Sequence, residues 1–422
     1  MLKINKERNI LMKNDNINEK DEKFTEVTPK YYSIDNRYEE YNKPPKKKKS
    51  AKKAVAVTSA CIAFAACIIC GAFVISKYRV PKEKVWPTSA DLSLEASADI
   101  QRDKSSAMES IAEIGERMDE DDGKLEYNNT HKYKINKKRF SDAVIKELDE
   151  TVTADYVALY DVTADEFIYM KNAQKKCYPA STTKMLTAIV ASSIITDPDT
   201  VITVGDEITM IGYDSSIAGL TQGMKLKFET LMDALMIPSG NDAAYTMAVA
   251  CGRIYAKNDK LSNEEALKVF MVLVNETAQK IGATKTHFTA PDGFHDDNHY
   301  TCAADLAKIG DYAKSIPIVA NSCAKETADW ELVSGEKISW SNSNAILHKD
   351  SEYYSEYCDG LKTGFTDEAG TCLVASATID GHTFIVADMR SLSLYCKYDE
   401  CNLMLKHAFE LYGKKYTYGQ QN

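Results

Sequence analysis

The body of this sequence lacks basic charge. Of the 422 residues, those from 77 to 422 carry 37 Lys+Arg against 53 Asp+Glu, so the folded part has no cationic surplus for a nucleic acid and none is expected as a partner. Long apolar runs are nearly absent: a single stretch, AVAVTSACIAFAACIICGAFVIS at Ala54–Ser76, runs for 23 residues without a charge. A disulfide framework is missing too. Three of the 11 cysteines (Cys61, Cys67, Cys70) fall in that apolar stretch, and the other eight show no regular spacing. Cys396 and Cys401 are near enough in sequence to pair, but a domain this large needs no covalent staples, so mostly free thiols are expected. No internal repeat is present.

What is there begins with the one apolar run. At about 1.5 Å per residue, a helix over Ala54–Ser76 reaches roughly 34 Å, enough for a bilayer core of about 30 Å. Seven lysines lie between Lys43 and Lys53 with no acid among them, whereas Lys77, Arg79, Lys82 and Lys84 are diluted by Glu83. The denser positive flank stays cytoplasmic, and Lys46–Lys49 can also touch anionic lipid heads. No small-x-small site closes the run and 53 polar residues precede it, so an uncleaved anchor is expected rather than a signal peptide. The reading is a disordered cytoplasmic tail at 1–53, a transmembrane helix at 54–76, an extracellular stalk at 77–142 and a folded domain at 143–415.

Within that domain, YVALYDVTADEFIYMKN (156–172) reads as two strands around a turn at Thr163–Asp165. FETLMDALMIPSGNDAAYTMAVACG (228–252) reads as helix, turn, helix, and SNEEALKVFMVLVNETAQKIG (262–282) as an amphipathic helix stopped by Gly282. TCLVASATI and HTFIVADMR flank Asp380-Gly381, a hairpin signature, and CNLMLKHAFELYG (401–413) closes with a helix. Helices between an early and a late hairpin imply one antiparallel sheet covered by helices, an α/β arrangement of the α+β kind.

The chemistry centres on PASTTKMLTAIVA (179–191). Residues three apart on a helix share a face, so Ser181 Oγ and Lys184 Nζ can meet. A neutral lysine amine can take the serine proton, but neutrality near pH 7 costs roughly 4–5 kcal/mol from an ordinary pKa of about 10.4. Burial and a second cation can supply that, and the apolar residues after Lys184 suggest the first. S-x-x-K occurs four times, at Ser50–Lys53, Ser181–Lys184, Ser322–Lys325 and Ser334–Lys337, and alone reads as a solvated surface pair. What separates Ser181 is company: Ser239-Gly240-Asn241 follows 58 residues later and Lys362-Thr363-Gly364 follows 181 residues later, each the sole example of its pattern.

Residues of roughly 143–413 resemble the penicillin-binding serine D-alanyl-D-alanine carboxypeptidases, the low-molecular-mass penicillin-binding proteins. The resemblance rests on PASTTKMLTA, IPSGNDAA, GATKTHFTAPDGFHDDNHYTCAADLA (282–307) and DGLKTGFTDEAGTCLVASAT (359–378). It implies a five-stranded antiparallel sheet flanked by helices, with a helical subdomain, shared with serine β-lactamases. It also implies removal of the last D-Ala of the peptidoglycan stem peptide, inhibition by β-lactams, no cofactor or metal, and a place at the bacterial cell membrane. Carried onto this sequence, Ser181 is the nucleophile, Lys184 its base, and Ser239 the relay of a proton to the leaving amine. Asn241 holds the lysine and the substrate amide, Lys362 is the second cation, and Lys362 with Thr363 attracts the terminal carboxylate. Backbone N–H groups of Ser181 and Phe365 form the oxyanion hole. Gly364 is expected to let the substrate lie against the strand.

Two departures stand out. Phe365 occupies a position where many members have His, and no later arginine is clearly placed for the carboxylate, Arg390 and Lys397 being the candidates. His295 and His299 in HDDNH have metal-like spacing, but Pro291 and Gly293 mark a loop there and neither is read as a ligand. Rival functions are a β-lactamase and a non-catalytic penicillin-binding wall scaffold. The first is disfavoured by Gly240 in place of the Asp of S-D-N and by the lack of an E-x-x-L-N segment. The second is disfavoured by the intact motif residues.

Overall fold

Both faces of the central sheet are covered, which is why its inner strands read as near-continuous apolar runs rather than alternations. The computed structural model describes residues 131–419 and a two-residue strand, β1, at Thr25–Glu26. The early hairpin is β2 (Tyr156–Asp161) and β3 (Glu166–Lys171). Two smaller hairpin-like pairs follow, β4 (Val201–Thr203) with β5 (Lys225–Lys227), and β6 (Thr327–Glu331) with β7 (Lys337–Ser341). The late strands are β8 (Cys358–Thr366), β9 (Gly370–Ile379) and β10 (His382–Ser391). Asp380 and Gly381 have φ of 50° and 80°, the two-residue turn whose twist matches that of the strands it joins.

These build the expected five-stranded antiparallel sheet, in the order β3-β2-β10-β9-β8. β10 joins the hairpins, with Phe384 opposite Asp161 and Met389 opposite Tyr156. β8, which carries Lys362-Thr363-Gly364, is left at one edge. The helices are α1 (Asp142–Thr151), α2 (Lys184–Ile194), α3 (Phe228–Met236), α4 (Asn241–Ala256), α5 (Asn263–Lys280), α6 (Ala303–Ser315), α7 (Pro317–Ala324) and α8 (Cys396–Glu410). Phe384, Val386, Leu373 and Leu159 pack with Leu148 of α1 and with Met404, Leu405 and Phe409 of α8. Their strand neighbours Ile385, Ala387, Val374 and Tyr160 belong to the opposite layer, with Leu186 and Ile189 of α2 and Leu306 and Ile309 of α6. Helix α2 is buried from Lys184 to Ser193, apolar almost all round, and so lies within the core rather than on its surface. The start of α5 is a capping box between Ser262 and Glu265, and Gly282 beyond its end has φ of 86°.

Several expectations are corrected. The folded unit starts before residue 143: Tyr133 donates to Gly282 O at 2.8 Å and Asp305 Oδ1 at 2.6 Å, and Arg139 pairs with Asp161 at 3.0 Å and with Glu166. It also runs past residue 415, since Tyr416 is buried and donates to Asn402 Oδ1 at 2.7 Å. Helix α8 begins at Cys396 rather than Cys401, so these two cysteines sit five apart on one helix, about 140° round its axis. They do not pair, and all eight cysteines among the described residues are free. The apolar stretch Ala54–Ser76, and the tail and stalk on either side apart from β1 and residues 131–142, lie outside the described residues. Among the described residues no helix is long and apolar enough to cross a membrane.

Ser322–Lys325 is not a solvated pair. Buried Asp233 of α3 accepts from Ser322 Oγ at 2.5 Å, Lys325 Nζ at 2.5 Å and Trp330 Nε1 at 3.0 Å, tying α3 to α7 and β6. Trp340 of β7, also buried, donates to Ala218 O at 2.8 Å. On its other edge β7 pairs in parallel with β1, Thr25 opposite Ile338. Asp233→Ala strands a buried hydroxyl and an indole N–H, and should lower the unfolding free energy by about 3 kcal/mol in denaturant titrations. Lys325, 39% exposed on its side chain, should cost about 1 kcal/mol or less as Lys325→Ala. Equal losses would show that the ion pair, not the buried hydrogen bonds, holds the junction.

Candidate active site

Ser181 is presented by a strained bend. Ala180 has φ of 48°, left-handed backbone that an alanine adopts only when its surroundings force it, and the turn Ala180–Thr183 that follows leads into α2. Two glycines let other segments press on this bend. A Cβ at Gly293, where φ is 90°, would lie 1.8 Å from Ala180 O. A Cβ at Gly364 would lie 3.0 Å from Ser181 N and 3.1 Å from Pro179 O. A side chain at 364 would therefore press on the protein's own backbone, as well as on a docking substrate.

Lys184 is fully buried at the start of α2. Its Nζ lies 2.9 Å from Ser181 Oγ, 2.7 Å from Asn241 Oδ1 and 2.8 Å from Asp292 O. The last two are carbonyl oxygens, which only accept. A neutral amine has two N–H groups and one lone pair, so satisfying both carbonyls leaves the lone pair facing the Ser181 hydroxyl. Burial lowers the Lys184 pKa to about 8, against the opposing pull of Asp292 and Asp242. Lys362 is buried as well, donates to Thr363 O at 3.1 Å, and is held well below the ordinary lysine range by burial and by the neighbouring Lys184 and Lys397 charges. Of the two expected devices, burial is the one that lowers the Lys184 pKa; the repulsion between the lysines falls on Lys362 instead.

Ser239 closes the turn between α3 and α4 in left-handed backbone, φ 64°, and its carbonyl accepts from Ser216 Oγ at 2.7 Å. Its hydroxyl makes no hydrogen bond with another described residue. Asn241, first in α4, uses its amide nitrogen on Ser215 Oγ at 2.9 Å, which leaves its oxygen to Lys184. A Cβ at Gly240 would meet Ala218 Cβ and Ala234 O at 2.8 Å each, so the Asp of an S-D-N motif has no room. Thr363 lies beside Ser343, Oγ to Oγ 2.6 Å, and Phe365 is 43% exposed.

Three groups had no role in the sequence reading. Asp242 accepts from the N–H groups of Ala218, Leu220 and Ala243, pinning the 215–220 segment to the start of α4. Asp292, with Pro291 O taking the Thr187 hydroxyl at 2.6 Å, forms a third wall. Ser343 comes from a stretch with no motif at all. The first two stand inside the quoted SGND and PDG text, a signal that they matter but not how. His299 is buried: its Nδ1 accepts from Thr289 N at 3.0 Å, so Nε2–H donates to Thr183 Oγ1 at 2.8 Å, and burial pushes its pKa down to about 3. His295 packs edge-on against Tyr178, so the two do not converge. Arg390 faces Asp155 at 3.6 Å, and Lys397 is buried over the Tyr398 ring.

A serine paired with a buried lysine, beside the edge strand of an antiparallel sheet packed against helices, defines the class of serine acyl-transfer enzymes. Residues 142–391 match the family model described as D-alanyl-D-alanine carboxypeptidase, and the chain belongs to that family. It is similar to the D-alanyl-D-alanine carboxypeptidase of Streptomyces sp. strain K15, 28% identical over 260 residues, covering 58% of this chain and 83% of the relative. It is also similar to D-alanyl-D-alanine carboxypeptidase DacA of Haemophilus influenzae, 27% identical over 253 residues, so that the chain spans 58% of that relative's length. Among solved structures, the Streptomyces K15 DD-transpeptidase matches with a TM-score of 0.56 and 26% identity, over 62% of this chain and 98% of the other.

A base that must be neutral sets a pH dependence. With the Lys184 pKa near 8, acylation of Ser181 by a fluorescent penicillin should rise with pH through about 8 and level off above it. A rate constant flat from pH 5 to 9 would remove Lys184 from the role.

Proposed function

We propose that the chain is a membrane-anchored serine D-Ala-D-Ala carboxypeptidase that removes the terminal D-Ala of peptidoglycan stem pentapeptides and is inhibited by penicillin. The observation that carries this is the Lys184 amine, buried between two carbonyl oxygens and the Ser181 hydroxyl. Lys184 takes the hydroxyl proton as Ser181 Oγ attacks the carbonyl of the penultimate D-Ala. The oxyanion is met by the N–H groups of Ser181 and Phe365, each typically worth about 10²–10³ in rate. Ser239 passes a proton to the departing D-Ala amine, and water then hydrolyses the acyl-enzyme. The terminal carboxylate docks on Lys362 and Thr363. An anion arriving there favours the protonated form of Lys362, which burial disfavours beforehand. A β-lactam acylates the same serine, but its leaving group stays tethered, so the ester should be long-lived.

Free D-Ala released from a D-Ala-D-Ala pentapeptide tests the activity. Release is expected from the unaltered chain and none from Ser181→Ala, which should also lose penicillin labelling. No release from a folded, penicillin-labelled protein would favour the wall scaffold, and fast turnover of penicillin the β-lactamase.

The anchor reading rests on the uncharged run Ala54–Ser76 and its lysine-rich flank. It sets residues 1–53 inside the bacterial cell and the catalytic domain outside. The pairing of β1 with β7 runs against this topology, because Thr25 can reach Ile338 only if both lie on one side of the membrane. Protease added outside intact protoplasts should digest the domain and spare residues 1–53, and loss of that tail would overturn the topology.

A further inference from the structure

Ser343 lies in none of the three motifs, yet its hydroxyl is 2.6 Å from that of Thr363, and either can be the donor. Its backbone is held from two sides: its N–H donates to Ile237 O at 3.2 Å, and its carbonyl accepts from the Tyr398 hydroxyl at 3.2 Å. The flanking asparagines are tied as well. Asn342 Nδ2 donates to Lys325 O at 2.8 Å, Asn342 Oδ1 accepts from Asn344 N at 3.0 Å, and the His348 ring meets Asn342 O at 2.6 Å. Ile237 is two residues before Ser239, so Ser343 bridges the turn that carries Ser239 and the strand that carries Thr363.

The consequence follows from counting protons. A hydroxyl has one proton and two lone pairs, whereas a carboxylate only accepts. If Thr363 spends its proton on Ser343, it has none for a substrate carboxylate. We propose that Ser343 is a positioning residue for carboxylate recognition, donating to Thr363 Oγ1 so that the one Thr363 proton points to the substrate's terminal carboxylate. The arrangement matters more here because Arg390 is turned to Asp155. The inference deepens the proposed function and rests on it.

The test uses the full chain and two competitors of fluorescent-penicillin labelling: a D-Ala-D-Ala peptide with a free carboxylate, and the same peptide as its C-terminal amide. Any change in affinity for the label itself cancels in the ratio of the two. The unaltered chain should prefer the acid. Ser343→Ala leaves the Thr363 hydroxyl free to rotate and should cut that preference about threefold, less than the roughly tenfold worth of a whole hydrogen bond to a charged group, and Ser343→Thr should restore it. A merely structural role would weaken acid and amide alike. If the alanine variant does not fold, Ser343→Cys, similar in size but a weak donor, carries the same expectation. An acid-to-amide ratio unchanged in a folded variant overturns the inference, whereas failure of the unaltered chain to release D-Ala overturns the function on which it rests.

Discussion

An amine that water cannot reach is the constraint on which the rest depends. Lys184 keeps its nitrogen among oxygens supplied by three separate segments: the bend before α2, the start of α4 and the loop at 291–294. Exposing that nitrogen would return the lysine to its ordinary charge state and end its usefulness as a base. The packing of α2 inside the core is thus a chemical requirement as much as a stabilising one. The same burial applies to Lys362 on the sheet edge, so two potential cations share one dry region, where desolvation outweighs the pull of Asp292 and Asp242 on Lys184. A pair of buried lysines weakens a fold unless something is gained, which is the usual sign of a working site.

The surrounding polar groups act mainly on the backbone. Asp242 gathers three N–H groups and the Ser216 hydroxyl holds the Ser239 carbonyl. Thr187 holds Pro291, and neutral His299 holds Thr183. The first three fix main-chain atoms, and His299 fixes the Thr183 hydroxyl. They secure two residues in left-handed backbone, Ala180 and Ser239, both beside a hydroxyl of the site. Strained backbone of this kind persists only where neighbours over-determine it.

Much of the fold was legible. The two hairpins follow from alternation and turn residues, the Asp380-Gly381 turn most clearly because both of its residues need positive φ. The helix at 263–280 follows from its cap and its period. Boundaries were less visible where contacts rather than propensity set them. Tyr133 and Arg139 belong to the domain because distant Asp305 and Asp161 receive them, and α8 gains its first turn against the sheet. Ser322–Lys325 read as a surface pair because nothing local reveals a buried carboxylate nearly 90 residues earlier.

By itself the sequence determined the local elements and the identity of the reactive groups, since period, caps and the ordered trio at Ser181, Ser239 and Lys362 are properties of short windows. Tertiary structure decided what those groups can do. Which oxygens surround Lys184, why a side chain at 364 would press on the Ser181 bend, and which hydroxyl neighbours Thr363 all depend on faces that bury against one another across long chain separations. Burial is a property of the packed whole, and the basicity of Lys184 depends on burial.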